Sequence, residues 1–353
     1  MTDTSTANPN QPPASRVAVI GAGAMGRNHL RVLNDLPTAR LVGVADADLA
    51  TAERAARLYG IQAYTDYRQM LDREKPEAVV IAVPTIMHRE VALEVISRGI
   101  HLLVEKPIAF TVAEGEEILA AAHDAGVLLT VGHIERYNPA IVELHRRLQE
   151  AELGRVFKMH ARRLGPFPPR VRDVGVVIDL ATHDVDIMRF LSGSEVVRVY
   201  AETARRIHTE HEDLLSGLLR FQDNSIGVLD INWLTPTKIR ELMITGEKGM
   251  FHVNYLTQDL YFYENNYIKT EWDAMSNITG VSEGDMIRPR IDKNEPLRIE
   301  LDRFLRAACG EDVQVTSGED ALATLRIVHK IVESGIEGRA IYLDAGGENV
   351  GSV

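Results

Sequence analysis

The sequence predicts an α/β protein in which a doubly wound parallel sheet precedes an α+β domain with a large, open, mainly antiparallel sheet. Within the first 133 residues, short apolar strands alternate with amphipathic helices, which is the pattern of a parallel sheet. A glycine-rich turn joins the first strand to the first helix. From about residue 195 to 270, strand patterns follow one another with little helix between them. We therefore expect a polar tail at 1–15, a first domain at 16–133, a second domain at 134–343 and a loose tail at 344–353.

Length and composition predict a protein of the cytoplasm. The chain has 353 residues and 45% hydrophobic content, enough for two domains with cores. Its formal net charge of −12 opposes nonspecific binding to nucleic acids and anionic membranes. No apolar run reaches the ~20 residues that span a bilayer, and residues 1–15 lack the features of a signal peptide. The single cysteine, Cys309, excludes an intrachain disulfide. We expect a small-molecule substrate and neither a nucleic-acid nor a membrane partner.

A glycine-rich turn predicts a phosphate-binding loop. The strand Arg16–Ile20 leads into the G-x-G-x-x-G pattern of Gly21–Gly26, and a helix follows directly. In the Rossmann dinucleotide fold, such glycines permit a tight turn, let a pyrophosphate approach the backbone and allow the helix to pack closely on the strand. The alternative is a glycine turn with a structural role alone. The predicted cofactor loop comprises Gly21, Gly23, Ala24, Met25 and Gly26.

An acidic residue at the end of the second strand predicts the type of cofactor. The strand RLVGVAD ends in Asp46, twenty residues after Gly26, where a carboxylate binds the ribose hydroxyls of NAD. The residues that follow are Ala47, Asp48 and Leu49, so a 2′-phosphate would meet only negative charge. NAD is therefore the expected cofactor rather than NADP.

Polar residues follow the remaining strands of the first domain. The strand His101–Val104 ends in Glu105, Lys106 and Pro107, and the last strand ends in His133. Ligands bind at the carboxyl ends of such strands, where a partly desolvated lysine beside a carboxylate can donate or shuttle a proton. A surface Glu-Lys pair on a turn is the alternative. The further predicted cofactor contacts are Pro84, Thr85, His88, Glu105 and Lys106.

One helix of the second domain carries a candidate acid–base pair. The period of residues 176–191 predicts a helix on which Asp179 and His183 are four residues apart and share a face. A carboxylate beside an imidazole fixes its tautomer and raises its basicity. A structural or a metal-binding role is the alternative. We expect no metal, because the histidines and acids of 208–213 fit a solvated loop and the single cysteine adds no ligand.

The strands of the second domain predict self-association. An open antiparallel sheet has two faces, and the predicted helices at 176–191 and 296–309 cover only one of them. The other face, rich in Leu and Val, is then left for a second copy of the chain. We expect a homo-oligomer, either a dimer or a tetramer, that forms through this sheet.

Together these motifs resemble the glucose-fructose oxidoreductase / inositol dehydrogenase (Gfo/Idh/MocA) family of NAD(P)-dependent sugar dehydrogenases. The resemblance runs from about Arg16 to Leu343 and rests on the blocks VAVIGAGAMGRNH, PTIMH, VEKPIA and IDLATHDVDIMRFL. It implies that Lys106 is the family's EKP lysine and that Asp179 and His183 are its D-x-x-x-H dyad. His183 would then accept a proton from a sugar hydroxyl, Asp179 would orient the ring, and Lys106 would donate to the same oxygen. Which of Lys106 and His183 is the principal base stays open.

A narrower resemblance concerns the substrate. The segment GHIERYNPA, followed by a strand that bears arginines, is similar to the UDP-N-acetylglucosamine-type 3-dehydrogenases. It implies oxidation at C3 of a UDP-N-acetyl-hexosamine or its uronate. The arginines around 162–172 suit a diphosphate, although they could instead pair with carboxylates across a subunit interface. The predicted substrate contacts are Lys106, Arg136, Asn138, Arg162, Arg163, Asp179 and His183, with Arg170 and Arg172 nearby. The alternative functions are a dehydrogenase of a neutral polyol such as inositol, a non-sugar reductase and a redox-inactive NAD-binding regulator.

Overall fold

The structure is a computed structural model that describes residues 14–168, 174–207, 210–269 and 279–343. The chain divides into two compact units. The first comprises Met1–Gly132 with Leu297–Leu322, and the second comprises His133–Pro296 with Ala323–Val353. The first break in this division lies one residue before the predicted domain boundary. The predicted tails at 1–15 and 344–353 lie almost entirely outside the described residues.

Strands and helices alternate in the first half of the chain, and strands dominate the second. The strands are β1 (Ser15–Ile20), β2 (Ala39–Ala45), β3 (Gln62–Tyr64), β4 (Ala78–Ile81), β5 (His101–Glu105), β6 (Leu129–Gly132), β7 (Val156–Pro166), β8 (Val196–Ala204), β9 (Leu214–Phe221), β10 (Ile226–Asn232), β11 (Leu234–Gly246), β12 (Gly249–Asn254), β13 (Asp259–Lys269), β14 (Thr279–Ile287) and β15 (Ile341–Tyr342). The helices are α1 (Ala24–Asp35), α2 (Leu49–Tyr59), α3 (Tyr67–Glu74), α4 (His88–Ile96), α5 (Val112–Ala125), α6 (Pro139–Gln149), α7 (Thr182–Ser192), α8 (Pro296–Ala308) and α9 (Gly318–Glu337). Within the described parts of the chain, no helix is long and apolar enough to cross a membrane.

The first unit contains the predicted parallel sheet. Its strands lie in the order β3-β2-β1-β4-β5-β6, and every neighbouring pair is parallel. This is the strand order of a dinucleotide-binding Rossmann sheet, so the prediction is confirmed. Strands β1, β4 and β5 are buried along almost their whole length because helices cover both faces of such a sheet. The sequence did not predict β3, whose three residues are too short to show a period.

Helix α8 belongs to the first unit, whereas the sequence placed it in the second domain. The apolar side chains of Leu301 and Phe304 are buried. The Thr38 hydroxyl donates a hydrogen bond of 3.1 Å to Asp302, which attaches the helix to the loop before β2. Helix α8 therefore does not cover the second sheet, and the prediction that it does is wrong.

The second unit contains a nine-stranded sheet in the order β14-β13-β12-β11-β7-β10-β9-β8-β15. All neighbouring strands are antiparallel except the pair β7 and β10, which confirms the predicted mainly antiparallel sheet. The sequence did not predict β14. One face of this sheet packs against α6, α7 and α9, and the shared core includes Ile141, Met188, Val328, Leu242 and Phe251.

The predicted helix at 176–191 is not α-helical throughout. Residues Val177–Ala181 form a π-helical turn, and the α-helix α7 begins only at Thr182. The Thr182 hydroxyl donates to the carbonyl of Ile178 at 2.7 Å, a contact that competes with the regular backbone ladder. Asp179 thus lies on the π turn and His183 on α7, so the two are not spaced along one uniform α-helix. Such π turns are frequent at functional sites.

Candidate active site

The glycine loop after β1 has the close contacts that a dinucleotide-binding turn requires. At Gly21, where φ is +96°, a Cβ atom would lie 2.4 Å from the carbonyl oxygen of Ala82. At Gly26, a Cβ atom would lie 1.9 Å from the carbonyl oxygen of Gly21, so only glycine permits this approach of helix to loop. Gly23 differs, because a Cβ atom there would meet nothing within 4 Å. The backbone at Gly23 therefore leaves space for a pyrophosphate, and the residues of the loop fit NAD.

Asp46 is held against this loop by backbone groups. Its Oδ2 accepts a hydrogen bond of 2.7 Å from the N–H of Ala22, and its Oδ1 accepts one of 3.0 Å from the N–H of Asp48. These contacts fix the carboxylate at the carboxyl end of β2 while its remaining lone pairs stay open to other donors. The contact of Asp46 with the ribose hydroxyls of NAD stays a prediction.

Glu105 at the end of β5 is paired with a histidine that the sequence analysis did not select. The Nε2 of His29, buried on α1, lies 2.6 Å from the Oε1 of Glu105, and the N–H of Lys106 donates to Oε2 at 3.3 Å. Burial raises the pKa of Glu105, but His29 and then Lys106 outweigh this effect, so the pKa lies below its usual value. A charged Glu105 therefore lies directly beside Lys106. The helical period placed His29 three residues after Gly26, on the side of α1 that faces the sheet, and this signal was available from the sequence.

The residues after β4 divide into a buried and an exposed group. His88 is buried, with its ring nitrogens 2.9 Å from the carbonyl oxygen of Pro107 and 3.0 Å from that of Val83. Burial lowers the pKa of His88, although both carbonyls act in the opposite direction. His88 thus lies between two strand ends, where a neutral ring donates to one of the two carbonyl oxygens, and its predicted cofactor contact stays a prediction. Pro84 is exposed and Thr85 is partly exposed, and both keep the predicted role as proposals.

The polar residues of the π turn and α7 face two different environments. Asp179 and His183 are partly exposed, whereas Asp184 and Asp186 are each 1% exposed. The two buried carboxylates are bound by arginines, as described below. Asp179 and His183, which the sequence selected, are therefore the two of these four side chains that remain partly exposed.

Arg136 and Asn138 are engaged within the protein. The guanidinium of Arg136 donates two hydrogen bonds, of 2.8 and 2.7 Å, to the carboxylate of Asp186. The Oδ1 of Asn138 accepts from the N–H of Ala140 at the start of α6, and its Nδ2 donates to the carbonyl of Tyr255. Both side chains are buried, and we exclude them from the proposed substrate site.

Arg162 and Arg163 are adjacent on β7 and point to opposite faces of the sheet. Arg163 is 4% exposed and donates to Asp184 at 2.7 Å and to Glu135 at 3.0 Å. Burial lowers the pKa of Arg163, but the attraction of Asp184 and Glu135 raises it above its usual value. Arg162 lies on the other face and donates to Glu241 at 3.3 Å. The two arginines cannot bind one diphosphate together, and their carboxylate partners belong to the same chain.

Several predicted features lie outside the described residues. Arg170 and Arg172 are among them, and so is His208 of the predicted loop at 208–213. Among the residues that the structure describes, no group of three or more His, Cys, Asp or Glu side chains is arranged to hold a metal ion.

Two sequence profiles of one protein family match the chain. Residues 15–133 match the profile described as "Oxidoreductase family, NAD-binding Rossmann fold", and residues 141–252 match the "GFO/IDH/MocA C-terminal domain". Together with the two sheets, these matches show that the chain belongs to the Gfo/Idh/MocA oxidoreductases. The predicted family, the NAD cofactor and the fold are thereby confirmed.

Known members of this family are similar over most of the chain. The UDP-N-acetylglucosamine 3-dehydrogenase of Acidithiobacillus ferrooxidans is 28% identical over 292 residues, which are 83% of this chain and 88% of that protein. Its solved structure has a TM-score of 0.80 at 26% identity, over 91% of this chain and 97% of that chain. GenD2 from gentamicin A biosynthesis, solved in complex with NAD, has a TM-score of 0.80 at 26% identity, over 95% and 97%. Inositol 2-dehydrogenase 2 of Saccharopolyspora erythraea is 34% identical over 220 residues, which are 61% of this chain and 62% of that protein.

Proposed function

We propose that this oxidoreductase oxidises a secondary hydroxyl of a sugar with NAD, and that its substrate is a nucleotide sugar oxidised at C3. The observation that carries the proposal is the contrast on the π turn and α7. Asp184 and Asp186 are buried in ion pairs, whereas Asp179 and His183 remain accessible. A partly exposed carboxylate and a partly exposed imidazole in an NAD-binding protein suit the removal of a hydroxyl proton.

Each proposed catalytic residue has a separate role. His183 accepts the hydroxyl proton, and Asp179 orients its ring and stabilises the imidazolium. The ammonium of Lys106 stabilises the negative charge that develops on the same oxygen. The glycine loop and Asp46 would hold NAD, which would supply the hydride acceptor. Glu105 keeps a negative charge beside Lys106, and His29 holds that carboxylate in place.

The relatives support two classes of substrate. The protein from Acidithiobacillus ferrooxidans, which acts on UDP-N-acetylglucosamine, is similar over 83% of this chain. The inositol dehydrogenase is more nearly identical, at 34%, but over 61% of the chain. The longer similarity favours the nucleotide sugar, and a neutral polyol is the second candidate.

A substrate panel distinguishes these two candidates. UDP-N-acetylglucosamine, its uronate, UDP-glucose, free N-acetylglucosamine and myo-inositol are each incubated with the protein and NAD, and NADH formation is followed by absorbance. We expect turnover with a UDP-N-acetyl-hexosamine or its uronate, and none with His183→Asn. Turnover of myo-inositol alone would establish the second candidate. No NADH from any sugar or polyol would contradict the proposal.

We also propose that the chain self-associates through the face of the second sheet that the helices leave uncovered. Side chains in register across seven strands form three rows on this face, defined here by their members. The central row is Tyr200, Leu218, Val228, His160, Met243, His252 and Tyr261. The acidic row is Glu202, Ser216, Asp230, Arg162, Glu241, Asn254 and Asp259. The basic row is Arg198, Arg220, Ile226, Lys158, Thr245, Met250 and Tyr263.

The charges of these rows favour one symmetry. A two-fold axis that lies along the central row would place the acidic row of one copy on the basic row of the other, because the rotation exchanges the two sides of the axis. An axis along the strands would instead place like charges together, which is unfavourable. The three rows therefore support a face-to-face dimer with its axis across the strands.

Charge reversal tests this assembly. Sedimentation velocity of Arg198→Glu/Arg220→Glu should show a weaker oligomer than the wild type, and the further change Glu202→Arg should restore part of the affinity. A monomeric wild type, or a double variant with unchanged association, would contradict the proposed face.

A further inference from the structure

Arg240 lies beside the buried ion pairs of the second unit. In the antiparallel pair of β11 and β7, Arg240 is directly opposite Arg163. Cross-strand neighbours share a face, so Arg240 points to the side of the sheet that carries the helices. Arg240 could not be predicted as a site residue, because nothing in the sequence shows that β11 and β7 are neighbours in this register.

Among the described residues, the guanidinium of Arg240 donates hydrogen bonds to carbonyl groups and to no carboxylate. Its Nη1 donates to the carbonyl oxygen of Leu164 at 2.6 Å and to that of Ile239 at 2.8 Å. Arg136 and Arg163 on the same side of the sheet each donate to a carboxylate. Within the described parts of the chain, Arg240 has no carboxylate within ion-pair distance. The N–H groups of its Nε and Nη2 are therefore available to donate hydrogen bonds to a ligand.

Arg240 is also poorly hydrated. Its side chain is partly buried, and burial together with the neighbouring Arg163 lowers the pKa of Arg240 to about 10, although Asp184, Glu135 and Asp179 act in the opposite direction. A desolvated cation without a paired anion is unfavourable. An oxyanion that bound there would gain a charge-assisted, two-point contact in a site of low dielectric.

Gly165 lies beside the guanidinium of Arg240. Gly165 is buried, and a Cβ atom there would lie 3.9 Å from both Nη1 and Nη2 of Arg240, so residue 165 places no side chain against the guanidinium. Asp179 is close enough to Arg240 to act on its charge. Arg240 is therefore near the accessible pair on which the proposed reaction depends.

We propose that Arg240 binds an anionic oxygen group of the substrate, either a carboxylate or a phosphate, and thereby selects anionic sugars over neutral ones. This inference rests on the proposed function, since it gives Arg240 a part in the same substrate site. Arg240 is a specificity-determining residue here and takes no part in proton transfer. It replaces Arg162 and Arg163, which the sequence analysis selected for the same purpose.

Binding measurements on Arg240 variants test this inference without any turnover. Arg240→Gln and Arg240→Lys are compared with the wild type by calorimetric titration of NADH-loaded protein. The ligands are UDP, UDP-N-acetylglucosamine, its uronate and myo-inositol. Arg155→Gln is the matched control, because Arg155 is 73% exposed and pairs with Glu247 at the surface. Thermal unfolding shows whether each variant is folded. Arg240→Lys keeps the positive charge but loses the planar guanidinium that can bind an oxyanion at two points.

We expect Arg240→Gln to weaken binding of at least one anionic ligand by about 10- to 100-fold, as for the loss of a charge-assisted contact. The affinity of Arg240→Gln for NADH should equal that of the wild type, and Arg155→Gln should bind every ligand with wild-type affinity. Arg240→Lys should bind the anionic ligand with an affinity between those of the wild type and Arg240→Gln. If only the uronate binds more weakly to Arg240→Gln, Arg240 binds the carboxylate of the sugar. If UDP and both UDP-sugars bind more weakly, Arg240 binds a phosphate.

The outcomes separate this inference from the proposed function. Unchanged binding of every anionic ligand by folded Arg240→Gln, or no binding by the wild type, overturns the role of Arg240. If Arg240→Gln weakens binding but no sugar is oxidised by the wild type, the proposed reaction fails while the anion site stands. If a sugar is oxidised and Arg240→Gln keeps the wild-type KM for it, the reaction stands and the anion site fails.

Discussion

The two units of the chain differ in how their site residues are held. In the first unit, the cofactor loop and Asp46 are placed by backbone contacts at the ends of strands. In the second unit, the polar residues lie on a helix and on sheet faces, and their roles depend on which charged neighbour each one meets. Asp184 and Arg163 are buried as a pair, while Asp179 and His183 stay accessible. A motif that is set by backbone geometry can thus be identified in a sequence, whereas a charged side chain acquires its role from the tertiary fold.

The largest effect is expected on NADH binding when Gly26 is replaced, because the backbone approaches most closely at this residue. In Gly26→Ala, the new Cβ would lie 1.9 Å from the carbonyl oxygen of Gly21, so helix α1 must move away from the loop. NADH titration should show no measurable binding. Gly23→Ala is the matched control, because a Cβ there meets nothing within 4 Å. It should unfold at the wild-type temperature and yet bind NADH more weakly. Wild-type affinity in Gly26→Ala would show that the loop does not form the cofactor site.

The next largest effect is a difference in stability between variants of the two adjacent arginines of β7, Arg163 and Arg162. Arg163→Ala leaves Asp184 and Glu135 without their shared cation, and breaking a buried pair costs about 3–5 kcal/mol of unfolding free energy. Arg162→Ala removes a pair between partly exposed side chains, which is worth about 1 kcal/mol or less. Urea denaturation of the two variants measures the difference. Equal losses would mean that the environments of Arg162 and Arg163 are less distinct than described.

The same contrast explains what the sequence could predict. The G-x-G-x-x-G turn and Asp46 could be predicted as cofactor contacts because their spacing is set by strand and helix geometry. Arg136 and Arg163 were assigned to the substrate because nothing local shows that Asp186 and Asp184 pair with them. Arg240 was not selected, since its position beside Arg163 depends on the register of β11 and β7. The π turn before Thr182 was missed because its apolar pattern fits an α-helix equally well.

A smaller effect concerns the choice between the two nicotinamide cofactors. Asp46→Ser removes the negative charge that opposes a 2′-phosphate and one acceptor for the ribose hydroxyls. We expect the preference for NADH over NADPH to fall by about tenfold, as for the loss of one hydrogen bond to a charged group. Titration of both cofactors into the wild type and the variant measures the ratio. Equal or tighter binding of NADPH by the wild type would remove Asp46 from this role.

The central claim is that cofactor binding and proton transfer depend on different residues. The most direct test combines NADH titration with turnover at saturating NAD, on His183→Asn and Lys106→Met, with the substrate identified in the panel. His183→Asn should bind NADH with an affinity within about twofold of the wild type, whereas Lys106→Met removes a predicted cofactor contact and is judged at saturating NAD. Turnover should fall in both variants by on the order of 10²-fold or more, the usual size of a lost acid–base contribution. Wild-type turnover in either variant, or a loss of NADH binding that accounts for the loss of turnover, would contradict the claim.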